Sequence, residues 1–152
     1  VDIETAPFPG FPTDLQAPFM ALMTIAKGSS KITETIFENR MNHVDLLNQM
    51  GSSITLKDNV AHINGVKKLR GMTLVGLDLR SSAALIIAAL TSKSVSYVYG
   101  LEHLDRGYEN FEQKLSKLGI EIKRQITKRT ISETNYNNSN SNNKEVSEIK
   151  AA

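Results

Sequence analysis

The sequence predicts a mixed α/β fold assembled from a repeated unit. Three observations carry that expectation. Through the first 126 residues the hydrophobic period switches back and forth between the alternation of strands and the 3.6-residue spacing of helices. The same order of elements returns after roughly 65 residues, a period long enough for a unit of several strands and helices. Two helical stretches close on the same signal, LNQMG at Gly51 and LSKLG at Gly119.

Taken in order, Leu15, Phe19, Leu22, Met23 and Ala26 follow helical spacing after Pro12 and Thr13. Thr13 is the expected N-cap, and Gly28 the expected stop. KITETIF then reads as a strand, and His43 to Met50 as a second helix ending at Gly51. SITLKDNVAHINGV reads as two strands turning at Asp58 and Asn59. The second copy runs MTLVGLD as a strand, DLRSSAALIIAALTSK as a helix, SVSYVYG as a strand, YENFEQKLSKLG as a helix, and IEIKRQI as a strand. Beyond these, Asn135 to Asn143 are almost entirely Asn and Ser, with no aliphatic side chain to bury. Ordering such a stretch costs chain entropy without a hydrophobic return, so residues 127–152 are expected to be a polar, disordered tail and the folded part to end near Thr127.

The chain has 152 residues, no cysteine, and 18 basic against 16 acidic residues. A net charge of +2 without a long run of one sign speaks against a nucleic-acid binder, because phosphate affinity needs many clustered cations. Without cysteine there is no disulfide scaffold, no Cys-ligated zinc and no thiol nucleophile in these residues. No apolar run of membrane-spanning length and no secretory leader are visible, which fits a cytoplasmic protein that uses no membrane. The opening VDIETAPFPGFPTD reads like the interior of a domain, so a portion of a longer protein is expected.

Polar residues cluster at element ends. Asp14 in FPTDLQ stands in the first turn of a helix, where exposed amides favour a carboxylate by about 0.3 to 1 kcal/mol; that alone explains it, and a site role is the other reading. Asp78 repeats the device in DLRSS and adds Arg80, giving either a helix-start pair or an anion site. His103, Asp105, Arg106 and Tyr108 crowd the turn HLDRGYE, and Phe37, Glu38, Asn39 and Arg40 the turn IFENR; an apolar ring beside an amide and a guanidinium suits a heterocycle or sugar. His43, His62 and His103 lack ligand spacing, so no metal is expected. Met20 and Met23 read as core filler, and KKLR as a solvated connection.

TAPFPGFPTDLQAPFMAL, ITETIFENRMNHVDLLNQMG, DLRSSAALIIAAL and LDRGYENFEQKLSKLG, in this order, closely resemble the C-terminal part of the UDP-N-acetylglucosamine enolpyruvyl transferase family, over about residues 3 to 126. The sister shikimate-phosphate enzymes share the fold but not this set of motifs. The resemblance implies part of an inside-out α/β barrel built from βαβαββ repeats, about two of them present here. It implies transfer of the enolpyruvyl group of phosphoenolpyruvate to the 3'-hydroxyl of UDP-N-acetylglucosamine with release of phosphate, a step of peptidoglycan precursor synthesis that uses no cofactor. Matching the motifs residue by residue, Asp14 is the candidate base at the accepting hydroxyl. Ile36, Phe37 and Arg40 join it in the UDP-sugar site. Asp78, Arg80 and Arg106 face phosphoenolpyruvate and the tetrahedral intermediate, with Arg106 the carboxylate partner.

The family's catalytic loop with its acid, its N-terminal Lys-Asn pair and further arginines have no counterpart in these residues. The implied partner is therefore the missing N-terminal part of the same enzyme, and the chain alone is expected to be inactive. The alternatives are a non-catalytic copy that binds a UDP-sugar or pairs with a full-length partner, and an enolpyruvylshikimate-phosphate synthase.

Overall fold

The computed structural model describes residues 1–130 and 143–151. Its first unit comprises β1 (Asp2–Glu4), α1 (Gln16–Met23), β2 (Ser29–Thr33), α2 (His43–Gln49), β3 (Ser53–Lys57) and β4 (Val60–Asn64). The second comprises β5 (Thr73–Val75), α3 (Leu79–Leu90), β6 (Ser96–Tyr99), the short α4 (Leu101–Leu104) and α5 (Phe111–Lys117), β7 (Ile122–Thr130) and β8 (Asn143–Ala151). Each unit folds its own sheet, in the orders β1-β2-β4-β3 and β5-β6-β8-β7. In both, the first two strands are parallel and the remaining pairs antiparallel. Parallel neighbours need a long crossover, which α1 and α3 supply; antiparallel ones accept a hairpin.

The crossover helices make the core. Gln16, Ala17, Met20, Ala21 and Met23 of α1 are buried, and α3 is buried almost all round, from Ser81 through Ile86 and again at Ala88 and Ala89. A helix apolar on every side belongs inside, and fully burying Leu85 or Ile86 contributes about 1.5 to 3 kcal/mol each. The strands alternate between exposed and buried residues, as β2 and β4 show, so each sheet keeps one face on the helices and one outward. Gly51 and Gly119, with φ of +90° and +85°, close α2 and α5 as their matching sequence signals foretold.

The fold departs from the sequence reading at five places. Leu15 and Leu22 are about half exposed, because α1 turns Ala17, Met20 and Ala21 toward α3 and the apolar residues around it do not single out a face. That helix ends at Met23, with Gly28 five residues later, just before β2. Thr13 caps nothing, and β2 stops at Thr33 because Glu34 turns inward to take hydrogen bonds. Finally, the folded part does not end near Thr127. β8 runs between β6 and β7 with Ile149 and Ala151 fully buried, occupying the place that β4 holds in the first unit. The Asn/Ser-rich stretch expected to be disordered lies, apart from Asn143, outside the described residues. Among the described residues no helix is long and apolar enough to cross a membrane.

Candidate functional site

Both helix starts open on one cleft of about 300 Å3, lined by Ala17, Phe37, Glu38, Asn39, Arg40, Asn42, His43, Asp78 and Arg80. Its geometry begins at a buried carboxylate. Glu34, at the end of β2, is 1% exposed. Its Oε1 accepts from the Thr5 hydroxyl at 2.9 Å and from the amides of Ile36 at 2.9 Å and Phe37 at 3.2 Å; its Oε2 accepts from the Thr13 hydroxyl at 2.7 Å. Burial alone raises the Glu34 carboxyl, yet the bonds from Thr13, Ile36, Thr5 and Phe37 outweigh it and hold it below the usual carboxylate range.

From that anchor the chain turns sharply. Asn39 adopts φ 56°, a conformation Asn tolerates better than most residues, and the turn folds Arg40 back over the Phe37 ring at 3.7 Å. Arg40 Nη1 donates to Thr13 Oγ1 at 2.8 Å and lies 3.5 Å from Asp14 Oδ1. Asp14 sits in a single 3-10 turn, Thr13–Leu15, that leads into α1. Its Oδ1 takes Arg80 Nη2 at 2.6 Å and Nε at 2.7 Å, which ties the first unit to the second. No partner among the described residues holds its Oδ2.

Asp78 is used differently. Its Oδ1 accepts from the amides of Arg80 at 2.8 Å and Ser81 at 2.9 Å, and its Oδ2 from Asn42 Nδ2 at 2.9 Å. The Asp78 amide in turn donates to the Ser81 hydroxyl, completing a capping box on α3. Burial raises the Asp78 carboxyl, and the bonds from Ser81, Asn42 and Arg80, with His43 nearby, more than offset it, leaving it lowered. His43 lines the cleft, 1% exposed, its Nε2 without a hydrogen-bond partner among the described residues. Burial pushes it down to about 4 against the opposing pull of Asp78.

Of the residues singled out in the sequence, the structure thus gathers Asp14, Phe37, Arg40, Asp78 and Arg80, with Ile36 held beside Phe37 through the same carboxylate. Arg106 is exposed and does not line the cleft. Its turn nonetheless abuts the start of α3: a Cβ at Gly107 would come within 2.9 Å of Leu79 Cδ2. The neighbouring Asp105 pairs with Arg124 of β7 through two bonds of 2.7 and 3.0 Å, and Arg124 also reaches Glu112 at 3.3 Å. Tyr108 packs on Phe111, with ring centroids 5.1 Å apart, and like His103 stays out of the cleft. Sequence reasoning missed Glu34, Asn42, His43 and Arg124. The signal for Glu34 was a carboxylate flanked by two threonines inside an apolar strand pattern; Asn42 carried none. Among the described residues no cluster of His, Asp or Glu is placed to hold a metal ion.

Two α/β units of one topology, helices inward and sheets outward, with a charged cleft at the helix starts, define the enolpyruvyl transferase class of fold. The sequence model of the EPSP synthase (3-phosphoshikimate 1-carboxyvinyltransferase) family matches residues 1–115, and the chain belongs to that family. A protein of Prochlorococcus marinus subsp. pastoris named UDP-N-acetylglucosamine 1-carboxyvinyltransferase is 90% identical over all 152 residues, which make up 33% of its length. Among solved structures, the enolpyruvyl transferase NikO from Streptomyces tendae superposes with a TM-score of 0.70 at 28% identity, covering 78% of this chain and 27% of that one. The EPSP synthase of Acinetobacter baumannii, at 15% identity and a TM-score of 0.62 over 91% of this chain and 28% of its own, shares the fold. The inside-out barrel expected from the motifs is therefore the right architecture, and the chain spans about a third of the length of the relatives it matches.

Proposed function

We propose that the chain is a segment of a UDP-N-acetylglucosamine 1-carboxyvinyltransferase and supplies its full-length enzyme with the group that deprotonates the acceptor. The observation that carries this reading is the placement of Asp14. Arg80 and Arg40 both approach Oδ1, so the carboxylate is oriented while Oδ2 stays open at an exposed position. An oxygen of that kind can take the proton of the sugar 3'-hydroxyl as that oxygen attacks C2 of phosphoenolpyruvate; the methylene carbon receives a proton from an acid outside these residues, and loss of phosphate from C2 together with a proton from the new methyl group restores the double bond. Phe37, Ile36 and Arg40 offer an apolar ring, an aliphatic wall and a cation to the UDP-sugar. Arg80 and Arg106 offer guanidiniums to the anionic groups of phosphoenolpyruvate and the intermediate, and Asp78, which takes the first amides of α3 itself, fixes the helix start that carries Arg80.

On this reading the protein acts in the cytoplasm, in cell-wall precursor synthesis, and through it in cell shape and division. The 90% identical relative supports this acceptor over shikimate phosphate. The test is phosphate release from phosphoenolpyruvate. The full-length enzyme should release phosphate only when UDP-N-acetylglucosamine is present, shikimate 3-phosphate should not replace it, and the 152-residue chain should be silent. Release by the full-length enzyme with shikimate 3-phosphate alone would overturn the reading.

A further inference from the structure

Glu34 touches the cleft with none of its own atoms, yet the first unit's contribution to the site hangs on it. Three of the four acceptor-side residues are reached from its carboxylate in one or two hydrogen bonds, and Asp14 through one such bond and a peptide link. The amides of Ile36 and Phe37 bond it directly; Thr13, which bonds it at 2.7 Å, is the chain neighbour of Asp14 and the acceptor for Arg40. Thr5 of the β1 end closes the set, and its own Oγ1 accepts from the Thr35 amide at 2.9 Å. A buried carboxylate that draws its donors from three separate segments fixes their relative positions, since moving any one of them leaves a charge underbonded. Among the described residues its nearest tie to the second unit is the pair of the exposed Asp14 with Arg80, whose backbone is set separately by the α3 cap. Asp78 is held by Asn42 and its own helix, and Asp105 by Arg124.

We propose that Glu34 is a positioning residue for the acceptor half of the site, setting the Ile36–Phe37 wall, the Arg40 guanidinium and the entry into Asp14 as one rigid piece. The inference rests on reading Asp14, Ile36, Phe37 and Arg40 as the UDP-sugar site. Its distinctive consequence is asymmetry between the two substrates: disturbing Glu34 loosens the acceptor side and leaves the phosphoenolpyruvate side in place.

Glu34→Gln keeps the shape but removes the charge and turns an NH2 toward one of the donors. In the full-length enzyme it is expected to raise KM for UDP-N-acetylglucosamine about tenfold or more, while KM for phosphoenolpyruvate stays within about threefold. Calorimetric titration with UDP-N-acetylglucosamine should show the same loss. Thr13→Val, which keeps the volume and the Glu34 charge and deletes the two bonds of the Thr13 hydroxyl, to Glu34 and from Arg40, should give the same asymmetry at smaller size, and it serves if the Gln variant does not fold. Wild-type protein that fails to bind UDP-N-acetylglucosamine would overturn the functional reading and this one with it. Normal wild-type binding that is equally strong in the variants, or a rise of both KM values together, would overturn the positioning role alone.

Discussion

Asp14 and Asp78 stand at the starts of equivalent helices, one repeat apart, and the two units have made opposite use of them. Asp78 is the N-cap of α3, and both of its oxygens are engaged, by two helix amides and by Asn42. Asp14 precedes α1 by a 3-10 turn, so that helix begins beyond its reach and its carboxylate makes no cap. Its bonds go instead to guanidiniums across the cleft, and they leave one oxygen open. One added turn of backbone thus separates a residue that stabilises its own helix from one available to a substrate. The lesson is that equivalence by repeat predicts position and not role; the hydrogen-bond inventory of the side chain decides the role.

The largest effect expected from this contrast is on turnover. Asp14→Asn in the full-length enzyme should lower kcat by about 10² to 10⁴ with KM for UDP-N-acetylglucosamine changed only a few-fold, since an amide keeps the size but cannot take a proton. Next in size is the carboxylate contact proposed for the second unit. Arg106→Lys should raise KM for phosphoenolpyruvate about tenfold or more and leave the acceptor KM unchanged, because an ammonium cannot grip a carboxylate through two parallel bonds. The alternative is that Arg106 merely pairs with Asp105 or Glu109 at the start of the last helix; Arg124 already holds the Asp105 carboxylate. Steady-state kinetics with each substrate varied in turn reads both effects.

A third effect falls on stability and on pH. His43 titrates near 4 in the folded protein against an ordinary 6.5, so between those values the unfolded chain binds a proton that the folded one refuses. Stability should therefore fall as pH drops from 6.5 toward 4, by about 3 kcal/mol in all from this group. Glu34, Asp78 and Asp105, whose pKa values are lowered, add their losses only at lower pH, as they protonate. His43→Leu should remove the upper part of the slope and, by deleting a buried nitrogen without a partner, should not lower stability at pH 7; urea melts at pH 7, 5.5 and 4.5 check this. The smallest effect is the cap itself: Asp78→Ala should cost about 1 kcal/mol, visible as a lower Tm.

Much of this molecule was legible in its sequence, for reasons that differ by element. Gly51 and Gly119 were read correctly because only residues tolerant of positive φ close helices that way. Asp78 and Arg80 were singled out through their motif, and Phe37 with Arg40 through the chemistry of a ring beside a guanidinium, whereas Asn42 and His43 on the same cleft were not. β8 was missed because EVSEIKA offers little apolar alternation, and its burial comes from the strands on either side, which no local pattern reveals. Glu34 was read as an ordinary strand residue because its four donors come from residues distant or non-adjacent in the chain. Arg124 was hidden for the same reason, its partners lying on the α4–α5 turn and on α5.

The central claim is that the two aspartates have separate duties, and it is tested most directly by measuring turnover and thermal stability on Asp14→Asn and Asp78→Ala side by side in the full-length enzyme. Asp14→Asn should lose turnover by at least about a hundredfold while Tm stays near that of the wild type, because an exposed ion pair is worth about 0 to 1 kcal/mol. Asp78→Ala should lower Tm, and turnover along with it as Arg80 loses its helix-start support. Near-normal kcat in Asp14→Asn, or a Tm that falls as far as in Asp78→Ala, would contradict the account.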